Sequence, residues 1–191
     1  MRSGECFRET RETKINVNVN LDGTGIAEVN TGVLFFDHLL KTLAVHSLVD
    51  IKITAKGDLK HHITEDVAIC LGEALRKAIG EGMGISRFGY AIVPMDDALA
   101  FAAIDLVRRS FHKIDLKMTE EIIEDTNRED VIHFLETLAS FLQCNVHAWV
   151  EYGVNDHHKV EAVFKALALS LRQAVTMSLD RNKVLSAKGT I

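Results

Sequence analysis

"HHITEDVAICLGEALRKA" (residues 61–78) and "HHKVEAVFKALALSLRQA" (residues 157–174) are two versions of one pattern. His, His, Glu, Val, Leu, Leu, Arg and Ala coincide when they are superposed. Upstream, "HLLKTLA" (38–44) matches "HFLETLA" (133–139) through HxLxTLA. The upstream pair stands 95 residues apart and the HH pair 96, a slip of one. A match of this length carrying the same rare residues marks an internal duplication. It divides the chain into a first half, 1–84, and a second, 85–191, within one domain.

The elements repeat as well. "TKINVNVNLDGTGIAEV" alternates around an Asp-Gly turn and predicts a hairpin. "GVLFFDHLLKTLAVHS" has helical spacing, "LVDIKITAKG" alternates as a strand, and 62–79 place Val67, Leu71 and Leu75 on one helical stripe. The second half predicts strands near 87–93, 97–106 and 111–117, a helix near 129–142, a strand at 145–152 and a helix at 158–178. The expected class is α/β (α+β): two similar halves, each a small mixed sheet covered by two helices.

The 191 residues and 47% hydrophobic content suffice for one compact core. A net charge of −5 argues against nucleic-acid binding, and no apolar run of about 18 residues predicts a membrane span. The N-terminus has no apolar signal core, and Cys6, Cys70 and Cys144 follow no CxxC spacing. Both point to a reducing, cytoplasmic setting. Cys70 and Cys144 read as small buried residues.

The nine histidines are not scattered. On a helix, i and i+4 share a face while i+1 turns about 100° away. His61 and Glu65 therefore converge on one point and His62 faces elsewhere; His157, Glu161 and His158 repeat this. His38 and His133 add one ligand each from the preceding helix of each half. The candidate ligand set is His38, His61, His62, Glu65, His133, His157, His158 and Glu161. A lone HH pair is ordinarily surface polarity, but two copies with matching upstream histidines point to a metal. Imidazole and carboxylate without thiolate suit a borderline divalent ion. Eight ligands shared by two six-coordinate ions leave open positions, as catalysis requires. His112 and His147 read as strand-face residues.

Together "RETKINVNVNLDGTG", "TGVLFFDHLL", "HHITED", "RFGYAIVPMDDAL", "NDHHKVEAVFKAL" and "SAKG" make the chain resemble the imidazoleglycerol-phosphate dehydratase family along nearly its whole length. The resemblance implies two halves of the ribosomal protein S5 domain 2-like kind. It also implies two Mn2+ per active site on the eight ligands, and a 24-subunit shell whose metal sites lie between subunits. The substrate phosphate would be held by Arg87, Arg109, Lys165, Ser186 and Lys188, with His38, His46, Asp96 and Glu12 also facing the substrate. The implied reaction turns imidazole glycerol phosphate into imidazole acetol phosphate in histidine biosynthesis. No carbonyl acidifies the carbon that loses its proton, so the imidazole ring must act as electron sink, through a metal-bound imidazolate and a diazafulvene. Glu12 is the first candidate for proton transfer, with His62 and Glu161 beside it. A metal-dependent hydrolase and a non-catalytic metal-binding assembly protein are the alternatives.

Two stretches depart from the family pattern. Lys60 precedes His61 on a short loop, whereas the second copy keeps Asp156, a candidate to orient an imidazole from behind. "DLVRRS" replaces a segment that usually reads SGRP, so an arginine stands where glycine precedes Arg109.

Overall fold

The computed structural model describes residues 2–178 and 183–189. In chain order the larger elements are β1 (Ser3–Glu9), β2 (Thr13–Asn20), β3 (Ala27–Asn30), α1 (Leu34–Ser47), β4 (Asp50–Gly57) and α2 (Lys60–Ile79). The series repeats as β5 (Phe88–Met95), β6 (Ala98–Asp105), β7 (Phe111–Asp115), α3 (Arg128–Leu142), β10 (Asn145–Tyr152) and α4 (Asp156–Val175). Between β7 and α3 lies a two-stranded turn, β8 (Ile122–Ile123) and β9 (Thr126–Asn127).

The sheets have the orders β1-β2-β4-β3 and β5-β6-β10-β7. In each, the last strand runs parallel to its neighbour and the others are antiparallel. The register repeats too. Gly4 faces Val19 as Gly89 faces Ile104, and Ala27 faces Ile51 as His112 faces Val146. Gly4 and Gly89 stand 85 residues apart, and both are needed where the edge strand crosses a helix. A Cβ at Gly4 would fall on the Ala74 carbonyl oxygen, and one at Gly89 on that of Ser170.

The expected hairpin across Asp22-Gly23 does not form. β4 inserts between β2 and β3, pairing antiparallel with one and parallel with the other. Asp50 on β4 captures the crossing loop: its Oδ1 accepts from the backbone N–H of Thr24, Gly25 and Ile26 at 2.8, 3.0 and 2.9 Å. These bonds hold the Asp50 carboxyl below the usual range. The hairpin that does form joins β1 to β2, and β1 was not predicted; nor was β8–β9.

The central strands bury alternate residues, such as Ile15, Val17 and Val19 on β2 and Val146, Ala148 and Val150 on β10. The helices lie between the two sheets. α2 packs on β1 and β2, and α4 on β5 and β6, but α2 also packs on α3 and α1 on α4. Helix contacts therefore cross between the halves. Phe134 on α3 meets Phe36 on α1 edge-on at 5.0 Å and Phe164 on α4 at 5.8 Å, within one continuous core.

Candidate metal centre and active site

Both HH pairs occupy the first turn of a helix. Asn155 caps α4, its Oδ1 accepting from the N–H of His157 and His158 at 2.9 and 3.3 Å. Leu59 precedes α2 and offers no side-chain cap. The extra residue of the longer second loop thus accompanies a cap that the first copy lacks.

The structure brings together two groups of three, each with ligand atoms within 4.8 Å of one another: His61, Glu65 and His133, and His38, His157 and Glu161. The second histidine of each group comes from the other half, not from the preceding helix of the same half as the sequence suggested. The cause is the packing: α3 carries His133 onto α2, and α1 carries His38 onto α4. Glu161 Oε2 lies 3.1 Å from His38 Nε2 and 3.2 Å from His157 Nε2, while His133 Nε2 is 3.4 Å from Glu65 Oε1.

His62 and His158 stand aside, their ring centroids 6.1 and 6.0 Å from those of their neighbours. His62 Nδ1 lies 2.8 Å from Asp58 Oδ1 and 3.8 Å from Glu12 Oε2. The Asp58 carboxylate raises the His62 pKa. His158 meets Asp97 Oδ1 at 2.5 Å through Nδ1 and Asp96 Oδ2 at 3.4 Å through Nε2. The imidazole, then the N–H groups of Asn155 and Val154, hold Asp97 far below the usual carboxylate range. Asp97 stands 85 residues after Glu12, as Gly89 does after Gly4, so the two carboxylates are counterparts.

Asp156 does not orient an imidazole. It is buried, accepts from the N–H of Thr119 and Glu120 at 2.7 and 2.8 Å, and pairs with Lys159 Nζ at 2.8 Å. The carboxylates behind the first imidazole of each pair come from elsewhere. Asp130 Oδ1 lies 2.6 Å from His61 Nδ1, and Glu124 Oε1 lies 3.1 Å from His157 Nδ1. Lys60 does not approach a histidine; it donates to the Asp125 carbonyl at 2.7 Å. Asp58, Asp97, Glu124 and Asp130 escaped the sequence reading. Asp58 was legible, four residues before His62; Asp97 required extending the repeat into the strands; Glu124 reaches His157 from the β8–β9 turn, and Asp130 acts across the halves.

The basic candidates fall in two places. Lys165 Nζ pairs with Glu161 Oε1 at 3.0 Å and contacts Met95 Sδ at 3.3 Å. Burial opposes ionisation of Glu161, but the bonds from His38 and Lys165 keep its pKa below the usual value. His46 shares this cluster, and burial and then the Lys165 charge lower its pKa. Arg87 is held bidentately by Asp105 at 2.7 and 2.9 Å, and its Nη1 donates to the Leu185 carbonyl at 2.9 Å. That bond sets the turn carrying Ser186 and Lys188 beside it, where Ser186 Oγ accepts from Lys188 N–H at 3.2 Å. Arg109 is exposed. Its neighbour Arg108 adopts the left-handed conformation natural to glycine (φ 56°), and its guanidinium bonds Gly80 O at 2.6 Å and Glu81 at 3.0 Å. The backbone course is kept without the glycine.

The imidazoleglycerol-phosphate dehydratase family profile matches residues 31–171. The imidazoleglycerol-phosphate dehydratase of Methanothermobacter thermautotrophicus is 46% identical over 100% of this chain and 98% of its own. That of Pelotomaculum thermopropionicum is 48% identical over 93% and 92%. The crystal structure from Staphylococcus aureus superposes with a TM-score of 0.85 at 29% identity, covering 92% of this chain and 99% of that one. The Pyrococcus furiosus structure, in complex with (S)-C348, gives 0.85 at 38% identity over 97% and 100%. With two matching halves and crossed histidine–carboxylate groups, the chain belongs to the imidazoleglycerol-phosphate dehydratase family.

Proposed function

We propose that this chain is a carbon–oxygen lyase of histidine biosynthesis, removing water from imidazole glycerol phosphate to give imidazole acetol phosphate. The observation that carries this reading is the pair of crossed groups, each offering two imidazole nitrogens and a carboxylate within 4.8 Å. Such donors fit a borderline divalent cation, and two Mn2+ per active site would use them. Bound there, the cations supply Lewis acidity to the substrate's imidazole ring.

The protein's own residues do the rest. Lys165, Arg87, Arg109, Ser186 and Lys188 hold the phosphate through charge-assisted hydrogen bonds. His46, whose pKa burial and the Lys165 charge lower, and Asp96 line the substrate. Glu12, exposed and 3.8 Å from His62 Nδ1, accepts and returns the proton. His62 and His158, turned away from the groups of three, serve sites completed by neighbouring copies in a 24-subunit shell. One domain of two repeats, 1–84 and 85–191, supplies both faces, and the cytoplasm suits its free thiols.

Manganese-loaded protein given imidazole glycerol phosphate should form product absorbing as an enol-ketone, and metal-stripped protein should not. Absence of product from the loaded assembly would sink the dehydratase reading. Glu12→Gln should lower kcat by about 10²–10⁴-fold with little change in KM. His61→Ala should lose metal and weaken assembly; intact metal-loaded shells from that variant would contradict the inter-subunit sites.

A further inference from the structure

The duplication invites a position-by-position comparison of the two groups of three, and they differ in charge. Behind His61 stands Asp130 on α3, its carboxylate 2.6 Å from Nδ1, only 5% exposed, and held by Asn127 Nδ2 at 3.0 Å. Its counterpart 95 residues earlier is Phe35 on α1, whose ring packs on His157 with centroids 4.8 Å apart. The first group thus has a buried carboxylate where the second has a hydrocarbon ring. Glu124, from the β8–β9 turn, reaches His157, but it is 59% exposed and its charge is screened by solvent.

The carboxylate ligands differ as well. Lys165, one turn beyond Glu161, places its ammonium 3.0 Å from Oε1, and its side chain is 22% exposed. Its counterpart 96 residues earlier, one turn beyond Glu65, is Ile69, which carries no charge. An arriving divalent cation meets an extra buried anion at the first group and a nearby cation at the second. Coulombic effects of both kinds are weakly screened where water is excluded. A carboxylate on the far nitrogen of an imidazole also fixes the tautomer that presents a lone pair to a metal and makes it more basic.

We infer that the two groups are unequal, and that a divalent cation fills His61, Glu65 and His133 before His38, His157 and Glu161. This rests on the reading that both groups hold divalent cations. Asp130 is a positioning residue for the tighter group, and Lys165 sets the weaker affinity of the other. A phosphate that draws the ammonium of Lys165 from Glu161 relieves that opposition, so the weaker group is the one that responds to substrate.

The test is calorimetric titration of the metal-stripped full chain with Mn2+ alone, with electron paramagnetic resonance following bound ion at low loading. Two binding steps at least about tenfold apart are expected, since a single charge near an ion is worth this much even at the high effective dielectric of a protein surface. Lys165→Met should tighten the weaker step and leave the tighter one in place. Asp130→Asn should weaken the tighter step, and Ile69→Lys, at a half-buried position, should do so without touching a hydrogen bond. Two steps of equal affinity, or a Lys165→Met effect confined to the tighter step, would overturn the inequality alone. No binding at all would overturn the metal reading and the inference with it.

Discussion

Arg108 is one of the non-glycine residues whose backbone takes the left-handed conformation (φ 56°). A non-glycine side chain in the left-handed region costs about 1 kcal/mol. Here the guanidinium bonds to Gly80 O and Glu81 oppose that cost. Arg108→Ala keeps the strain and loses the bonds, so it should destabilise by about 1 kcal/mol. Arg108→Gly loses both and should melt near the parent. Urea titrations check this; an alanine variant as stable as the parent would show that the guanidinium contributes nothing. Single residues were unevenly legible. His61 and Glu65 converge by helical spacing alone, which four residues of sequence contain. The Asp130 carboxylate behind His61 was invisible, because it lies 69 residues away and reaches the ring only through helix packing.

Among the elements, the β8–β9 turn shows how an inserted segment takes on a task. The first three strands of the two sheets stand about 85 residues apart, but α1 and α3 stand about 95 apart, so the surplus lies between β7 and α3. The turn caps the other half: Asp125 Oδ2 and Oδ1 accept from the N–H of Leu34 and Phe35 at 2.8 and 2.9 Å. Val33 at the start of α1 has no capping side chain of its own. Burial opposes ionisation of Asp125, yet the N–H bonds of Phe35 and Leu34 hold its pKa below the usual carboxylate value. A folded pKa below the unfolded one gives stability that is complete above about pH 4 and lost as pH falls through the folded value. Asp125→Ala should therefore cost about 1 kcal/mol at pH 7, and the difference from the parent should shrink in acid. Equal losses at pH 7 and pH 2.5 would refute an ionised cap. The helices were read within a few residues of their observed ends because each buries an apolar stripe. The Asp22-Gly23 hairpin was misread because a turn signal is local, while the choice of strand partner is not.

Across the whole molecule, the helices that cross between the halves make one core. Phe134, fully buried between Phe36 and Phe164, joins three of the four helices. Phe134→Ala should cost about 3–5 kcal/mol. Fluorescence of the lone Trp149, on β10 in the second half, should still lose its folded signal together with far-ultraviolet circular dichroism. Two separated transitions would show that the halves fold independently. The duplication, the helix-borne HHxxE motifs and the alternating strands were determined by sequence alone, because each is a relation among residues a few positions apart or a copy of one. Which histidine joins which pair, which carboxylate backs each ring and where a glycine must admit a helix were decided only by tertiary structure. Those relations depend on packing α2 against α3 and α1 against α4, and burying apolar surface fixes that packing without leaving a periodic trace in the chain.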